Sequence, residues 1–262
     1  EKELQVSSNS RGNNVRIVER ARVPGRPFAP NPMRALALAA MAGLALALGL
    51  VFALDRLDDT IKTPEDVRRL RLPLLGLIPA VQGRGAPVAS QVAMDQFGEA
   101  FRTLRTTLAL SAAEGSRVIL ITSAQPLEGK TTTACNLARA LAHGGARVLL
   151  IDADMRRPGV HAISGLDNAC GLSDVLSGRA PAHRVVRRLP DPDLWIMTAG
   201  QPPANPSELL ASQRMSALMA NARSGPFDWV IVDTPPVLAV TDALILAPWV
   251  SGVALVLGSE MT

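Results

Sequence analysis

Ile119-Leu-Ile-Thr-Ser-Ala-Gln-Pro-Leu-Glu-Gly-Lys-Thr-Thr-Thr133 is the stretch whose reading decides the fold. An apolar run from Val118 to Ile121 has the composition of a buried strand. It gives way to a polar loop, and a helical spacing of apolar residues (Ala134, Leu137, Ala138, Leu141) starts at once beyond it. Between the two stand Gly129, Lys130 and Thr131, the end of a phosphate-binding loop. In that setting the loop amides and the free N–H groups of the new helix aim at one point, where a polyphosphate can sit. Gly129 lets the main chain come close, Lys130 neutralises phosphate charge, and the Thr131 hydroxyl is suited to Mg²⁺. Ala124 replaces the first glycine of the G-x-x-x-x-G-K-[ST] pattern, so the match is near rather than strict.

Two further apolar runs end in carboxylates. Val148-Leu-Leu-Ile-Asp152-Ala-Asp154-Met-Arg156 is one, and Trp229-Val-Ile-Val-Asp233 is the other. In a parallel sheet such ends lie beside the phosphate loop of a neighbouring strand. Asp152 there can hold Mg²⁺, or accept a proton from an attacking hydroxyl. Asp152 and Asp154 share a side if strand geometry persists between them. Asp233 is the natural partner for Mg²⁺ near Thr131. Lys130, Asp152, Asp154, Arg156 and Asp233 are therefore the candidate catalytic residues, and Thr131, Asp152 and Asp233 the candidate metal ligands. Arg156 either stabilises transferred phosphoryl charge or pairs with Asp154; the sequence leaves both open.

Around this centre, strand and helix patterns alternate, which predicts an α/β fold with a mostly parallel sheet covered by helices on both faces. Strands are expected near 117–122, 147–151, 193–198, 228–232 and 249–257. Helices are expected near 130–143, 206–222 and 239–247, with a short one near 172–178. Upstream, Met94 to Leu110 spaces Phe97, Phe101, Leu104 and Leu108 on one helical stripe, with Glu99, Arg102 and Arg105 on other faces.

Ala35 to Leu54 carries no charge over twenty residues, about 30 Å of helix and one membrane thickness. It is too long and too internal for a signal peptide. Arginine and lysine are about equally dense on both sides, so orientation follows instead from the nucleotide, which places the C-terminal side in the cytoplasm. Before the span, Val15 to Glu19 alternates like a short strand and Pro24 to Pro32 stays extended. After it, Thr63-Pro-Glu-Asp66 starts a short helix through Arg71, Leu72 to Pro79 reads as a strand, and Gln82 to Ser90 as a linker. The expected divisions are 1–32, a transmembrane helix over 33–55, a juxtamembrane segment over 56–92, and the P-loop domain over 93–262.

The formal net charge of +4 comes from scattered arginines without interleaved aromatics, which argues against a nucleic-acid surface and for a membrane-facing role. Cys135 and Cys170, and the three histidines, lack metal-ligand spacing. The chain starts at Glu1 without a methionine and stops at Thr262 near an apolar strand pattern, the expected form of a piece of a longer protein.

Together these motifs resemble the bacterial tyrosine kinases that accompany export of capsular and exopolysaccharide. Ser123 to Thr132 is similar to that family's Walker A motif, proline included. That resemblance adds Gln125, Glu128 and Thr132 to Gly129, Lys130 and Thr131 as nucleotide-binding residues. Leu149 to Pro158 resembles its second motif, often called Walker A′, and Ile231-Val-Asp233-Thr-Pro-Pro236 its Walker B. Gly200 to Leu210 resembles a further family segment, with Ala204 off pattern. Glu99-Ala-Phe-Arg102-Thr-Leu-Arg105 matches the E-x₂-R-x₂-R motif through which such kinases pack into homo-oligomeric rings. Pro24 to Pro32, the span and Asp58 to Asp66 resemble the end of a polysaccharide co-polymerase domain.

The resemblance implies an ATP- and Mg²⁺-dependent protein-tyrosine autokinase at the bacterial inner membrane. Its partners would be the polysaccharide polymerase and export machinery and protein tyrosine substrates. The family carries a C-terminal tyrosine cluster, whereas this chain has no tyrosine, so its acceptors are expected elsewhere. Two other readings remain. A MinD/ParA-like membrane-associated switch ATPase would place a lysine five residues before Lys130, where Gln125 stands. A non-catalytic chain-length scaffold would not require Lys130, Asp152, Asp154 and Asp233.

Overall fold

Runs of valine, leucine and isoleucine that end in aspartate build the centre of the molecule. The structure is a computed structural model that describes residues 25, 31–57, 61, 63–79, 91–111, 117–189 and 193–259. The chain divides into two compact units, Glu1–Asp59 and Thr60–Thr262.

In the first unit, helix α1 (Pro32–Arg56) opens with proline at its first turn, where no N–H is needed. The Asn31 side chain accepts the Arg34 N–H there. Pro32–Leu54 has the length and apolar composition to cross a membrane, with a mean hydropathy of 2.4. Its leucines are exposed all round, as a helix bathed in hydrocarbon would be. The strand expected over 15–19 lies outside the described residues.

The second unit begins with α2 (Pro64–Arg69), where the Asp66 carboxylate accepts from both the Thr63 amide and its hydroxyl. Leu72 to Pro79, expected as a strand, joins no sheet. Pro73 and Pro79 have no N–H to donate to a ladder. The segment instead packs Leu75 and Ile78 onto the core. The linker expected over Gln82–Ser90 lies outside the described residues. Helix α3 (Gln91–Ser111) follows, burying Phe101, Leu104 and Leu108 as the spacing predicts; the Phe97 side chain lies outside the described residues.

Next come β1 (Arg117–Ser123), α4 (Lys130–His143), β2 (Val148–Asp152) and three short helices, α5 (Val160–Ser164), α6 (Leu172–Ser177) and α7 (Ala182–Val185). Then follow β3 (Val186–Arg188), β4 (Leu194–Met197), α8 (Pro206–Leu210), α9 (Gln213–Ser224) and β5 (Trp229–Asp233). Helix α10 (Asp242–Leu246), a 3₁₀ turn over Ala247–Trp249 and β6 (Gly252–Val256) complete the described order. The single helix expected over 206–222 is two. Ser212 breaks it, its hydroxyl accepting the Met215 amide to cap a second start.

The sheet order is β3-β4-β2-β5-β1-β6. All pairings are parallel except β3 with β4, so the sheet is mostly parallel as expected. Three-residue β3 carries too little pattern to read from sequence. Alternate strand residues feed two cores. Val118, Leu120, Val230 and Val232 meet Leu172, Leu176, Met215 and Leu246 from α6, α9 and α10 on one face. Ile119, Ile121 and Ile231 meet Phe101, Leu104, Leu137 and Leu141 from α3 and α4 on the other. Each fully buried leucine or isoleucine contributes roughly 1.5–3 kcal/mol. The register sets Asp152 beside Asp233 at the C-terminal ends of β2 and β5.

Gly171 shows how tightly the loops beyond those ends are stacked. Leu172 and Ser173 donate their amides to the carbonyls of Thr198 and Ala199. A Cβ at Gly171 would overlap the Thr198 carbonyl oxygen and the Gly200 nitrogen. Gly171→Ala is therefore expected to destabilise the second unit by about 3 kcal/mol, because backbone rather than a flexible side chain must move. A lowered denaturant midpoint checks this; an unchanged midpoint contradicts the close approach.

Candidate active site

The phosphate loop takes its shape from local bonds. Gly129 adopts φ 87°, a left-handed conformation that glycine tolerates, and the helix starts at Lys130. Leu127 also lies at positive φ, 72°, where a branched residue is strained. Glu128 turns its carboxylate inward, accepting the Gln125 amide at 2.7 Å and the Gly258 amide at 3.0 Å. It ties the loop to itself and to the segment after β6, so it shapes the cradle from behind. The Ser123 hydroxyl donates to the Gln125 carbonyl. The Gln125 and Thr132 side chains are exposed at the loop and the first turn of α4.

Lys130 reaches across to the end of β2. Its ammonium donates to Asp154 Oδ2 at 2.7 Å and to the Thr131 hydroxyl at 3.3 Å. Burial pulls its pKa down, but the charges of Asp233, Asp154 and Asp152 outweigh that and hold it above the usual lysine value. Lys130, Asp152, Asp154 and Asp233 thus lie in one cluster.

The three carboxylates play different parts. Asp152 is fully buried: Oδ1 accepts the Asp154 amide, and Oδ2 accepts those of Gly159 and Val160. Burial first, then the charge of Asp233, pushes its pKa up to about 8. Asp154 gives one oxygen to Lys130 and the other to the Arg157 amide. Asp233 is fully buried, and neither of its oxygens has a hydrogen-bond partner among the described residues. Burial raises its pKa to about 6, against the pull of Lys130 and the Thr131 hydroxyl, which lies close without bonding geometry.

An unpartnered carboxylate in a dry site is costly unless a cation completes it. Thr131 and Asp233 fit Mg²⁺, and the loop amides with Lys130 fit the phosphates of ATP. Asp152 stands beside Asp233 with its oxygens accepting three amides, so it would be a less open ligand for a cation than Asp233. Gly159 roofs the group: a Cβ there would lie 3.1 Å from the Thr131 methyl.

Arg156 corrects one expectation. It does not pair with Asp154. Its Nε donates to Asp242 Oδ2 at 2.9 Å and its Nη2 to the Ser207 hydroxyl at 2.8 Å. Sequence reasoning passed over Asp242 and Ser207 because each sits in a first helical turn, where acids and hydroxyls are ordinary. The E-x₂-R-x₂-R residues also divide. Glu99 and Arg102 form an exposed pair at 2.7 Å, whereas Arg105 donates to the Ala140 carbonyl near the C-terminus of α4.

A parallel sheet with a phosphate loop after β1 and acidic ends on β2 and β5 defines a P-loop nucleotide-binding protein. The AAA domain family matches residues 116–251, and a G-rich domain family of tyrosine kinases matches residues 1–55. Tyrosine-protein kinase YwqD of Bacillus subtilis is 43% identical over 165 residues, covering 63% of this chain and 69% of that protein. Tyrosine-protein kinase ptk of Acinetobacter johnsonii is 34% identical over 270 residues, 97% of this chain and 36% of that protein. Among solved structures, the kinase domain of the Escherichia coli tyrosine kinase ETK superposes with a TM-score of 0.69 at 34% identity, covering 74% of this chain and 80% of that one. The chain belongs to the bacterial tyrosine-protein kinase family. It spans about a third of the length of several curated relatives it matches.

Asp233 gives a signed test. Its folded pKa of about 6 lies above the ordinary 3.8, so its ionisation opposes folding. That penalty is absent below about pH 4, grows between pH 4 and 6, and is complete above pH 6. Asp233→Asn is expected to stabilise the nucleotide-free protein at pH 7.5 by on the order of 1–3 kcal/mol, with no gain near pH 4. Mg²⁺-dependent ATP binding should be lost in the same variant. Unfolding curves at the two pH values check the first part, and a destabilised variant at pH 7.5 contradicts it.

Proposed function

We propose that this chain is the ATP-dependent protein-tyrosine kinase part of a membrane-anchored protein that regulates exopolysaccharide or capsule polymerisation and export. The observation that carries the reading is the convergence of Lys130, Asp154, Asp152 and the unpartnered Asp233 behind a phosphate loop.

Mg²⁺-ATP, when bound, supplies the phosphoryl group and the cation that screens it. The chain's own residues do the rest. Loop amides and Lys130 grip the phosphates, and Lys130 must leave Asp154 in part to do so. Thr131 and Asp233 hold the cation. Asp152 receives the phenolic proton of the incoming tyrosine. Its pKa of about 8 belongs to the nucleotide-free site, where burial and the charge of Asp233 favour the protonated form; a bound cation would lower it and free the carboxylate to act as base. For the phenol to reach it, Asp152, fully buried here, must become accessible. With no tyrosine in the chain, the acceptors are tyrosines beyond these residues or on other proteins.

Helix α1 would cross the inner membrane, with residues 1–32 outside and the kinase unit in the cytoplasm, where ATP is present. Glu99 and Arg102 are exposed and available for a ring contact, whereas Arg105 supports α4 from within the subunit.

Lys130→Met should lower phosphotransfer from ATP to a tyrosine peptide at least about 100-fold in protein shown by circular dichroism to be folded, although losing the ammonium that faces Asp154 lowers the melting temperature. Undiminished transfer would remove the loop from the mechanism. Arg102→Ala should reduce the oligomer mass seen by light scattering. An oligomer of the parent's mass would take Arg102 out of the interface.

A further inference from the structure

The pair formed by Arg156 and Asp242 is not explained by nucleotide binding alone. Asp242 is fully buried in the first turn of α10, nine residues beyond Asp233. Its Oδ2 accepts Arg156 Nε at 2.9 Å, and its Oδ1 accepts Nη2 at 3.3 Å and the Ser207 hydroxyl at 2.6 Å. Nη2 also donates to the Ser207 oxygen, closing a three-membered network. Each partner comes from a different loop at the C-terminal end of the sheet. Arg156 belongs to the turn after β2, Ser207 to the first turn of α8, and Asp242 to the segment after β5.

The turn after β2 needs such an anchor. Residues 153–159 carry no regular structure, yet Asp154 on this turn pairs with Lys130, and Gly159 lies over Thr131. Its other hydrogen bonds are made by amides: those of Asp154, Gly159 and Val160 donate to the Asp152 carboxylate, that of Arg157 to Asp154, and that of Ala153 to the Asp233 carbonyl, while Met155 is buried in the core. The carboxylates among these acceptors carry charge that a bound cation and nucleotide would redistribute. Among the turn's side-chain hydrogen bonds, the Arg156 network is the one that leads away from the phosphate site.

We infer that Asp242 and Ser207 are positioning residues: they clamp the Arg156 guanidinium and so hold the turn carrying Asp154 against the phosphate loop while the site's own charges rearrange. Arg156 then serves as a tie rather than as a charge on the transferred phosphoryl group. A forked, two-point contact with a buried carboxylate suits that task, because it fixes orientation as well as distance. The functional consequence deepens the kinase reading and rests on it; the structural consequence does not.

The first measurement is site-resolved amide exchange on the whole chain in detergent, without nucleotide. In Asp242→Asn the Gly159 and Val160 amides should exchange at least about tenfold faster, with α3 and β5 unchanged. Ser207→Ala should show a smaller effect in the same direction. Exchange at the parent rate, or acceleration spread equally over the sheet, overturns the tie. The second measurement is the single-turnover rate of transfer to a tyrosine peptide, which an inactive fraction does not alter. Asp242→Asn should slow it about tenfold or more. Arg156→Ala should do the same, and the double variant should be no slower than Arg156→Ala. A full additional loss in the double variant overturns the idea that Asp242 acts through Arg156. If the parent transfers no phosphate while the exchange pattern holds, the kinase reading falls and the tie stands.

Discussion

Three buried carboxylates face one ammonium, and the rest of the second unit is arranged to keep them there. Asp152 and Asp233 are neighbours by strand register, so their proximity is built into the sheet. Burial raises the pKa of both groups, to about 8 for Asp152, where the charge of Asp233 adds to it, and to about 6 for Asp233, where that of Asp154 does. Lys130 meets only part of the excess, binding Asp154 and leaving Asp233 without a partner. A divalent cation is the natural complement, since it supplies the charge the protein omits.

Holding that arrangement calls for unusually firm backbone. The strands that end in aspartate are buried on both faces. Beyond them the loops are stitched to one another: the Thr234 amide and hydroxyl both reach the Ile121 carbonyl, and the Thr122 hydroxyl donates to the Pro235 carbonyl. Glu128 fastens the phosphate loop to the segment after β6. The loop accepts a left-handed Leu127, a cost of roughly 1–2 kcal/mol that only a well-supported loop can bear. Stability is spent at the site and recovered in the two cores.

How much of this could be read from the sequence divides along a physical line. Strand ends, the phosphate loop and the helix beyond it were legible because each rests on local pattern: an apolar run, then a polar group with a defined chemical task. The cluster of Lys130 with Asp152, Asp154 and Asp233 was legible for the same reason, since parallel topology brings such ends together. Long-range pairings were not. Arg156 met Asp242, 86 positions away, because folding brings the segment after β5 across the turn after β2, and no spacing rule contains that crossing. Arg105 likewise spent its charge on the end of α4 rather than joining Glu99 and Arg102 outside. The Leu72–Pro79 segment misled in another way: its apolar composition is that of a strand, but its prolines leave it too few donors to pair.

The same division bears on how the site changes state. Contacts made within the cluster are those a bound nucleotide must compete with. Lys130 cannot bind phosphate at full strength while it serves Asp154, and Asp152 gives to three amides electron pairs that a cation would use. Contacts made across the fold, from Arg156 to Asp242 and Ser207, face no such competition. The nucleotide-free site is therefore closed by its own charges and held in register by an ion pair outside them. Charge neutralisation can then open the phosphate side while the geometry beneath it persists. A cluster stabilised only from within would lose its shape as it became active.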